Sequence, residues 1–422
     1  MWAETSSKPS PARDAGRSRA EPVRILFVEN GVGYGGAVIC LRHLARHLDR
    51  RRYLGRIVTG RSGPEYQAIA ADAEWRHIPD RRFEAGNLRR LIERSRGLAR
   101  VPGLSWLLGQ VVARLDDLLN FLPFALALLA EIRDFRPDLI HANNEPLCNR
   151  AALILGRLLG IPTVCHVRGP PTGSWLMARL YRLPDHFIPV SRWIDRDVAA
   201  QGIPPYRRSV IYDGIDLERL NLAASGRNFR NRFGIPEQAF VVGLVGLLMP
   251  WKGQRLFLEA APMLRGRIPE LKMLIVGGAP HECLEYQAEL RETVRRRGLE
   301  DIVVFTGHVD DMPPVYNALD VVVSASLQPE PLGTVVIEAM AMGRPLIAPA
   351  HGGGAEMNTD GATALLFEPG DAAALSNAVL RLHASPSLRQ RLGAAARDRA
   401  LRNFDIARHV EGVEAVYRAL LG

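Results

Sequence analysis

The chain has 422 residues, of which 47% are hydrophobic and 23% are charged, and its formal net charge is +9. This length exceeds what one ordinary hydrophobic core organises, so it predicts two domains of roughly 200 residues each. The four cysteines are far apart and form no CxxC pair, which argues against a zinc site and a disulfide framework and fits a reducing cytoplasm.

The N-terminal segment is polar, rich in proline, serine and arginine, and without hydrophobic periodicity. We predict that residues 1–21 are a disordered tail. No apolar stretch follows its charges within the length of a signal peptide, so we do not expect secretion.

A glycine-rich loop follows the first predicted strand, Val23–Asn30, and precedes a helical pattern. Its glycines Gly31, Gly33 and Gly36 have the spacing G-x-G-x-x-G, which lets the backbone approach an anion at a helix N-terminus. A plain tight turn is the alternative. A nicotinamide-binding domain would need an acidic residue at the end of the second strand, and the sequence there, Ile57–Arg61, has none.

The positive charge is concentrated between Arg42 and Arg100, where fifteen arginines and seven acidic residues give +8. This stretch ends in a predicted basic amphipathic helix, Asn87–Arg100, beside two apolar runs of 13 residues, Val101–Ala113 and Leu118–Ala130. Neither run reaches the roughly 20 residues that cross a bilayer. Contact with an anionic membrane surface and a solvated helix both fit this pattern. Nucleic-acid binding is disfavoured, because the region has few aromatic residues.

Short apolar strands alternate with helices along the chain, in two similar passages. This alternation predicts parallel sheets covered on both faces, and therefore two doubly wound α/β domains with a linker near Asp216–Arg230. Ligands of such folds bind beyond the carboxyl ends of the strands, so the cleft between the domains is the predicted site. The predicted strands are Val23–Asn30, Gly55–Thr59, Asp138–Ala142, Ile161–Val167, His186–Val190, Arg208–Tyr212, Phe240–Gly246, Leu271–Gly278, Asp301–Gly307, Asp320–Ser326 and Pro345–Pro349.

The loop after the first strand of the second passage reads GLLMPWKGQ, from Gly246 to Gln254. It contains Lys252, one of only three lysines in a chain with 51 arginines. A compact ammonium group on a flexible stem, placed between a strand and a helix, suits a phosphate. A solvated surface lysine is the alternative.

Two glutamates bracket a helix-forming segment in EPLGTVVIEAMAMGRP, which begins at Glu330. Thr334 predicts a helix cap and Gly343 a helix end, so Glu330 lies in the preceding loop and Glu338 about one turn inside the helix. Carboxylates repel phosphates but accept hydrogen bonds from hydroxyls. Together with the glycines and the lysine they predict a nucleotide sugar as ligand. A capping glutamate and a solvated helical glutamate are the alternative.

From about Arg24 to its end the chain resembles the retaining glycosyltransferases of family 4, or group 1. Their fold, GT-B, is an α/β structure of two Rossmann-like doubly wound domains facing across a cleft. The most specific motif is E-x(7)-E, here Glu330 to Glu338, followed by GGGAE at Gly352–Glu356. The supporting motifs, in the family's order, are GYGGA near the start, DLIHANN (Asp138–Asn144), VCHVRG (Val164–Gly169), PVS (Pro189–Ser191), VIYDGID (Val210–Asp216), PWKG (Pro250–Gly253) and LIVGG (Leu274–Gly278).

The resemblance implies roles for the residues at the matching positions. Glu338 would bind the ribose hydroxyls of the nucleotide, and Glu330 would lie against the donor sugar. Lys252 would contact the diphosphate and His166 the sugar hydroxyls, so Glu330, His166 and Lys252 are the catalytic candidates. The remaining donor-binding candidates are the backbone amides of Leu332, Gly333 and Thr334, near the sugar and the leaving group, and Gly35 and Gly36, near the phosphates or the acceptor.

No metal and no cofactor are implied by the resemblance, and the only D-x-D, Asp195 to Asp197, falls in a predicted helix. One residue departs from the family pattern, because Leu247 occupies the position where an arginine usually pairs with the diphosphate. Losing one charge-assisted contact costs about 1.5–3 kcal/mol, or roughly 10- to 150-fold in affinity. Arg168 and Arg344 are candidates to replace that arginine.

These expectations describe a metal-independent hexosyltransferase with a nucleoside diphosphate sugar as donor and a lipid-linked or saccharide acceptor. We expect it to act in cell-surface polysaccharide or glycolipid assembly, in the cytoplasm or peripherally at the inner face of the membrane. The predicted domains are residues 22–215, completed by the C-terminal helix 402–422, and residues 216–401. The alternative is a non-catalytic GT-B partner or regulatory subunit with weakened diphosphate binding, supported by Leu247.

Overall fold

The structure is a computed structural model that describes residues 21–31, 35–80, 104–170, 178–217 and 220–422. The predicted tail up to residue 20, the predicted helix Asn87–Arg100 and residues 32–34 of the glycine-rich loop lie outside the described residues. Within the described ranges, no helix combines the length and the apolar character that crossing a bilayer requires.

Two six-stranded parallel sheets organise the molecule. Their strands are β1 (Val23–Glu29), β2 (Tyr53–Thr59), β3 (Glu74–His77), β4 (Leu139–Asn143), β5 (Thr163–Val167), β6 (His186–Pro189), β7 (Phe240–Val245), β8 (Leu271–Val276), β9 (Val303–Gly307), β10 (Val321–Val323), β11 (Leu346–Pro349) and β12 (Leu365–Phe367). The first sheet has the order β3-β2-β1-β4-β5-β6 and the second the order β12-β11-β10-β7-β8-β9. Both are the doubly wound arrangement, so the predicted fold class is confirmed.

Helices connect the successive strands. Those of the described residues are α1 (Gly36–His47), α2 (Pro64–Gln67), α3 (Leu104–Asp116), α4 (Leu122–Phe135), α5 (Arg150–Leu159), α6 (Arg192–Ala200), α7 (Gly226–Arg232), α8 (Gln254–Arg265), α9 (Leu284–Arg296), α10 (Met312–Ala318), α11 (Thr334–Ala341), α12 (Gly352–Met357), α13 (Ala372–Ala384), α14 (Pro386–Asn403) and α15 (Ile406–Leu421). A π-helical turn at Asp117–Phe121 joins α3 to α4.

The register of the first sheet brings polar residues together at the carboxyl ends of its central strands. Strand β1 pairs with β2 as far as Glu29 beside Thr59, and with β4 as far as Glu29 beside Asn143. The strands β4 and β5 are buried along their whole length, as strands of a parallel sheet that is covered on both faces should be. The carboxyl ends of three neighbouring strands therefore place Glu29, Asn143 and His166 near one another.

The C-terminal helix α15 packs on α1 and on the first sheet. Its Val413 and Tyr417 are fully buried in the hydrophobic cluster that also contains Ile25 and Phe27 of β1. The phenol of Tyr417 lies 2.6 Å from Nδ1 of His141 in β4. The end of the chain is thus part of the core around the first sheet.

Two features of the strand prediction are wrong. Residues Arg208–Tyr212 form no strand, because only isolated contacts follow β6, such as the amide of Ser209 donating to the carbonyl of Phe187 at 3.0 Å. Strands β3 and β12 were not predicted. Both are edge strands. Strand β3 is mostly exposed and has no apolar run, and β12 has only three residues, so neither pattern stands out in the sequence.

Candidate active site

Two loops meet at the carboxyl ends of the neighbouring strands β7 and β10. The first carries Lys252 and the second carries Glu330. Gly253 has a φ of 76°, and a Cβ there would lie 1.9 Å from the carbonyl oxygen of Ala325, so only glycine permits this approach. The amide of Leu327 donates to the carbonyl of the residue before Lys252 at 2.8 Å. The two loops therefore form one unit around a small recess.

Lys252 and Glu330 form an ion pair inside this recess. The distance from Nζ to Oε2 is 2.7 Å, and the two side chains are only 19% and 15% exposed. The hydroxyl of Ser326 donates to the other carboxylate oxygen, and the ammonium lies 4.4 Å from the ring centre of Trp251. An ammonium group has three donors, so two remain for acceptors other than those of the described residues. Two of the predicted catalytic residues are thus brought together, and their roles toward a ligand stay predictions.

Glu338 lies in α11 with one carboxylate oxygen engaged. Its Oε2 accepts a hydrogen bond of 2.6 Å from the hydroxyl of Tyr316, which is fully buried in α10. Burial raises the pKa of Glu338 and holds the pKa of the Tyr316 phenol well above its usual range. Among the described residues, Oε1 has no partner, so it is free to accept hydrogen bonds from hydroxyls. The sequence carries no signal that Tyr316 supports this glutamate.

The N-termini of α1 and α11 face each other. Gly35 precedes α1, and a Cβ on Gly36 would lie 3.4 Å from the hydroxyl oxygen of Thr334. The first amides of a helix have no acceptor within it, and the helix dipole adds partial positive charge there. The prediction that Thr334 caps α11 is wrong, since Gly333 is the N-cap and no side chain of the described residues caps this end. Both helix ends can therefore receive an anion.

The side chain of Leu332 is buried in the hydrophobic core, with 4% exposed. Only its backbone could reach a ligand, as the prediction for the amides of Leu332, Gly333 and Thr334 requires. These amides lie between the Glu330 loop and the first turn of α11.

His166 is fully buried at the carboxyl end of β5. Its ring lies 5.4 Å from that of His141 and is stacked on that of His409, 5.6 Å away. Burial, followed by the nearby Arg168, holds the pKa of His166 well below its usual range. The structure does not bring His166 into the recess with Lys252, and its contact with sugar hydroxyls stays a prediction.

The sequence reasoning missed a buried carboxylate, Glu29, at the end of β1. Its Oε1 accepts a 2.7 Å hydrogen bond from the amide of Gly31 and another from Asn144, and its Oε2 accepts one from Asn143. Burial raises the pKa of Glu29 to about 7 against the opposing effect of these hydrogen bonds. An acid at the end of an apolar strand, just before the glycine-rich loop, was the available signal. Glu29 anchors the first residue of that loop.

Neither candidate replacement for the missing arginine reaches Lys252. Arg168 is buried, donating to Asn143 at 2.8 Å and to Asp213. Arg344 lies beyond the C-terminal end of α11, the end away from Glu330, and donates to Asn317 at 2.8 Å. Leu247 itself is 40% exposed.

The predicted D-x-D pair lies in α6, where Asp195 is paired with Arg208. In the described part of the chain, no three His, Cys, Asp or Glu side chains are grouped so that they could hold a metal ion. Independence from metal stays a prediction.

Comparison with known families matches both halves of the chain. The family described as Glycosyltransferase Family 4 matches residues 34–219, and the family described as Glycosyl transferases group 1 matches residues 226–399. The chain belongs to the family 4, group 1 glycosyltransferases.

Two curated relatives illustrate the membership. A D-inositol 3-phosphate glycosyltransferase of Salinispora arenicola (strain CNS-205) is 35% identical over 226 residues, which are 50% of each chain. A GDP-mannose-dependent alpha-(1-6)-phosphatidylinositol monomannoside mannosyltransferase of Mycolicibacterium smegmatis is 32% identical over 243 residues, 56% of this chain and 62% of that protein. The chain spans less than two thirds of the length of either relative.

A solved structure shows the same GT-B fold. The crystal structure of Anabaena Alr3699/HepE in complex with UDP-glucose covers 94% of this chain and 100% of its own, with 24% identity and a TM-score of 0.77. At this identity the likeness concerns the fold.

Proposed function

We propose that the protein transfers a hexosyl unit from a nucleoside diphosphate sugar to an acceptor hydroxyl, with retention of the anomeric configuration. The observation that carries this proposal is the meeting of the Lys252–Glu330 pair with the N-termini of α1 and α11, which approach so closely that a Cβ on Gly36 would lie 3.4 Å from the hydroxyl oxygen of Thr334. Cationic and amide donors for a diphosphate thus lie beside carboxylates for hydroxyls. The glycosyltransferase names of the two relatives and the UDP-glucose of the structural neighbour support it.

In this proposal the diphosphate lies between the free donors of Lys252 and the two helix ends. Oε1 of Glu338 accepts hydrogen bonds from ribose hydroxyls, with Tyr316 fixing the carboxylate through Oε2. Glu330, already oriented by Lys252 and Ser326, accepts a hydrogen bond from a hydroxyl of the sugar. Glu338 thus offers Oε1 to the ligand while Tyr316 holds Oε2. Both oxygens of Glu330 have protein partners, and a remaining lone pair accepts from the ligand.

The proposed chemical step exchanges one carbon–oxygen bond for another. The acceptor oxygen bonds to the anomeric carbon on the face that the diphosphate leaves, the bond from that carbon to the diphosphate breaks, and the acceptor proton passes to the leaving phosphate oxygen. Stabilisation of the departing diphosphate by positioned donors is then the main catalytic effect, and removing one such donor typically costs about 10²- to 10³-fold in rate.

The test is turnover of UDP-glucose, UDP-galactose, GDP-mannose and ADP-glucose, measured as release of the nucleoside diphosphate, with and without EDTA. We expect one nucleotide to be preferred and EDTA to have no effect. Glu330→Gln should lower the rate by at least about tenfold, whereas Glu289→Gln, a matched change on the exposed face of α9, should not. No turnover of any donor, or equal rates in the two variants, would contradict the proposed site. The configuration of the product, read by NMR, tests retention.

We also propose that the acceptor is lipid-linked and that the protein touches an anionic membrane surface. The helices α3 and α4 and the turn between them bury one face and leave an apolar face exposed. This exposed face consists of Leu107, Val111, Leu118, Leu119, Leu122 and Leu126, each at least 41% exposed. An exposed apolar face on a segment that follows an arginine-rich stretch in the sequence favours an interfacial location.

A non-catalytic partner protein is the second candidate, favoured by the exposed Leu247 in place of the family's arginine. Leu247→Arg discriminates the two. In a working transferase the new guanidinium should add a charge-assisted contact and tighten binding of the preferred nucleoside diphosphate by roughly 10- to 150-fold. Leu222→Arg, at a similarly exposed leucine (45%), is the matched control. If the wild type binds no nucleotide and Leu247→Arg creates binding, the non-catalytic candidate is favoured.

A further inference from the structure

The GGGAE motif forms α12, whose start is packed against the backbone of the Glu330 loop. The amide of Gly353 donates to the carbonyl of Glu330 at 2.8 Å. A Cβ on Gly352 would lie 2.7 Å from that same oxygen, and one on Gly353 would lie 2.5 Å from Cα of Leu332. Side chains are therefore excluded from this contact, and the start of α12 and the Glu330 loop form one packed unit.

A second contact holds the same two segments together. Nε2 of His351, the residue before α12, lies 3.0 Å from the carbonyl oxygen of Ser326, which requires Nε2 to be the donor. Ser326 in turn donates to Glu330. A displacement of α12 would therefore be transmitted to the carboxylate that pairs with Lys252.

The last turn of α12 reaches the other domain through Glu356. Its Oε2 accepts a hydrogen bond of 2.9 Å from the amide of Trp193, and its Oε1 accepts one of 2.9 Å from the amide of Arg192 and one from the hydroxyl of Tyr212. These donors belong to α6 and to the segment that follows β6. One carboxylate thus joins three donors on the side of the first sheet.

The N-terminus of α6 does not need Glu356 as a cap. The helix has its own cap, Ser191, whose hydroxyl oxygen accepts from the amide of Ile194 at 3.2 Å. Other helices of the described chain begin with a local cap alone; Asp371, for example, accepts from the amides of Ala373 and Ala374 at 2.9 Å. The carboxylate of Glu356 comes from 163 residues further along the chain than Trp193. It therefore connects the two domains.

We infer that Glu356 is a positioning residue that couples the first domain to the Glu330 loop through α12. It fixes the position of α12 relative to α6. The recess with Lys252 and Glu330 therefore keeps a set position relative to the N-terminus of α1. The contacts stand without any assumed activity, whereas the consequence for catalysis rests on the proposed transferase function.

The test is hydrogen–deuterium exchange of the full chain without nucleotide, so that failure of the proposed function does not affect it. In Glu356→Gln we expect faster exchange in the first turn of α6 and also at the amides of Leu327 and Gly353. The increase should be about tenfold, the size that losing one hydrogen bond to a charged group corresponds to. The matched control, Asp371→Asn, weakens another carboxylate helix cap and should accelerate exchange only in the first turn of α13.

Unchanged exchange at Leu327 and Gly353, with faster exchange in α6, would overturn the inference and leave Glu356 as a simple cap. Tyr212→Phe provides a second measurement should Glu356→Gln not fold, because it removes one donor to Glu356 and leaves the carboxylate on α6. It should produce a smaller increase at the same two amides, and an increase confined to α6 would again overturn the coupling.

Discussion

At the scale of single residues, the candidate site consists of charges that are already paired and oriented. Lys252 and Glu330 are held by Ser326 and by the ring of Trp251, and Glu338 is held by Tyr316. A charged group that is shielded from water loses hydration energy, so it is stable only when ion-pair or hydrogen-bond partners offset that loss. The same partners fix the direction of the remaining donors and acceptors, so binding a ligand requires little rearrangement of these side chains.

Lys252→Ala should weaken binding of the preferred nucleoside diphosphate by about 1.5–3 kcal/mol, or roughly 10- to 150-fold, because a charge-assisted contact is lost. The change also leaves Glu330 without its ion-pair partner. Calorimetric titration measures the affinity. Lys272→Ala is the control, since Lys272 is a half-buried lysine of β8 whose Nζ donates to the carbonyl of Asp301. Similar affinity losses in both variants would remove Lys252 from the site.

Glu29 predicts a dependence of stability on pH. Burial raises its pKa to about 7 in the folded protein, above the ordinary value of an unfolded glutamate. The folded state therefore binds the proton more tightly, so this group's contribution to stability is greatest at low pH and falls as pH rises through about 7.

Glu29→Gln removes that titration. The free energy of unfolding of the wild type minus that of Glu29→Gln should fall by about 2.5 kcal/mol between pH 5 and pH 8, measured by urea denaturation. All other titrating groups are common to both proteins, so the difference isolates this carboxyl. A difference that does not change with pH would show that Glu29 titrates normally.

At the scale of elements, the sequence predicted what depends on local patterns. Apolar strands and the loops after β1, β7 and β10 were found because a buried parallel strand is a continuous apolar run and a strand-to-helix loop needs glycine. Strand β3 was missed because it is mostly exposed and has no apolar run, and β12 was missed because it has only three residues. The predicted cap of α11 was wrong because Thr334 is a residue type that caps helices, whereas Gly333, with a φ of 93°, occupies the N-cap position.

The exposed apolar face of α3 and α4 makes a prediction at this scale. Wild-type protein should sediment with vesicles that contain phosphatidylglycerol. The triple change Leu118→Ser, Leu122→Ser, Leu126→Ser should lower the partition coefficient about tenfold or more, because the variant buries less apolar surface in the membrane interface. A matched triple change at exposed leucines elsewhere, Leu222→Ser, Leu284→Ser and Leu401→Ser, should leave it unchanged. Wild-type protein that remains in the supernatant would contradict membrane contact.

At the scale of the whole molecule, the fold could be predicted from the alternation of strands and helices. The partners of the site residues could not be predicted in this way. Glu330 and Lys252 are 78 residues apart and Glu338 and Tyr316 are 22 apart. The pairings of Glu356 and Glu29 likewise depend on which strands are neighbours in a sheet. Such contacts are set by topology, which no spacing along the chain encodes. The sequence named the chemistry of the recess, and the structure supplied what holds it in place.

The measurement that tests the central claim most directly is thermal stabilisation by UDP, GDP, ADP and their sugars, without added metal. A site built from Lys252, Glu338 and two helix ends predicts a selective rise in melting temperature with one nucleotide. That rise should be lost in Glu338→Ala, which removes the acceptor of the ribose hydroxyls, and kept in Glu289→Ala on the exposed face of α9. No rise with any nucleotide, or the same rise in Glu338→Ala as in the wild type, would contradict the donor site.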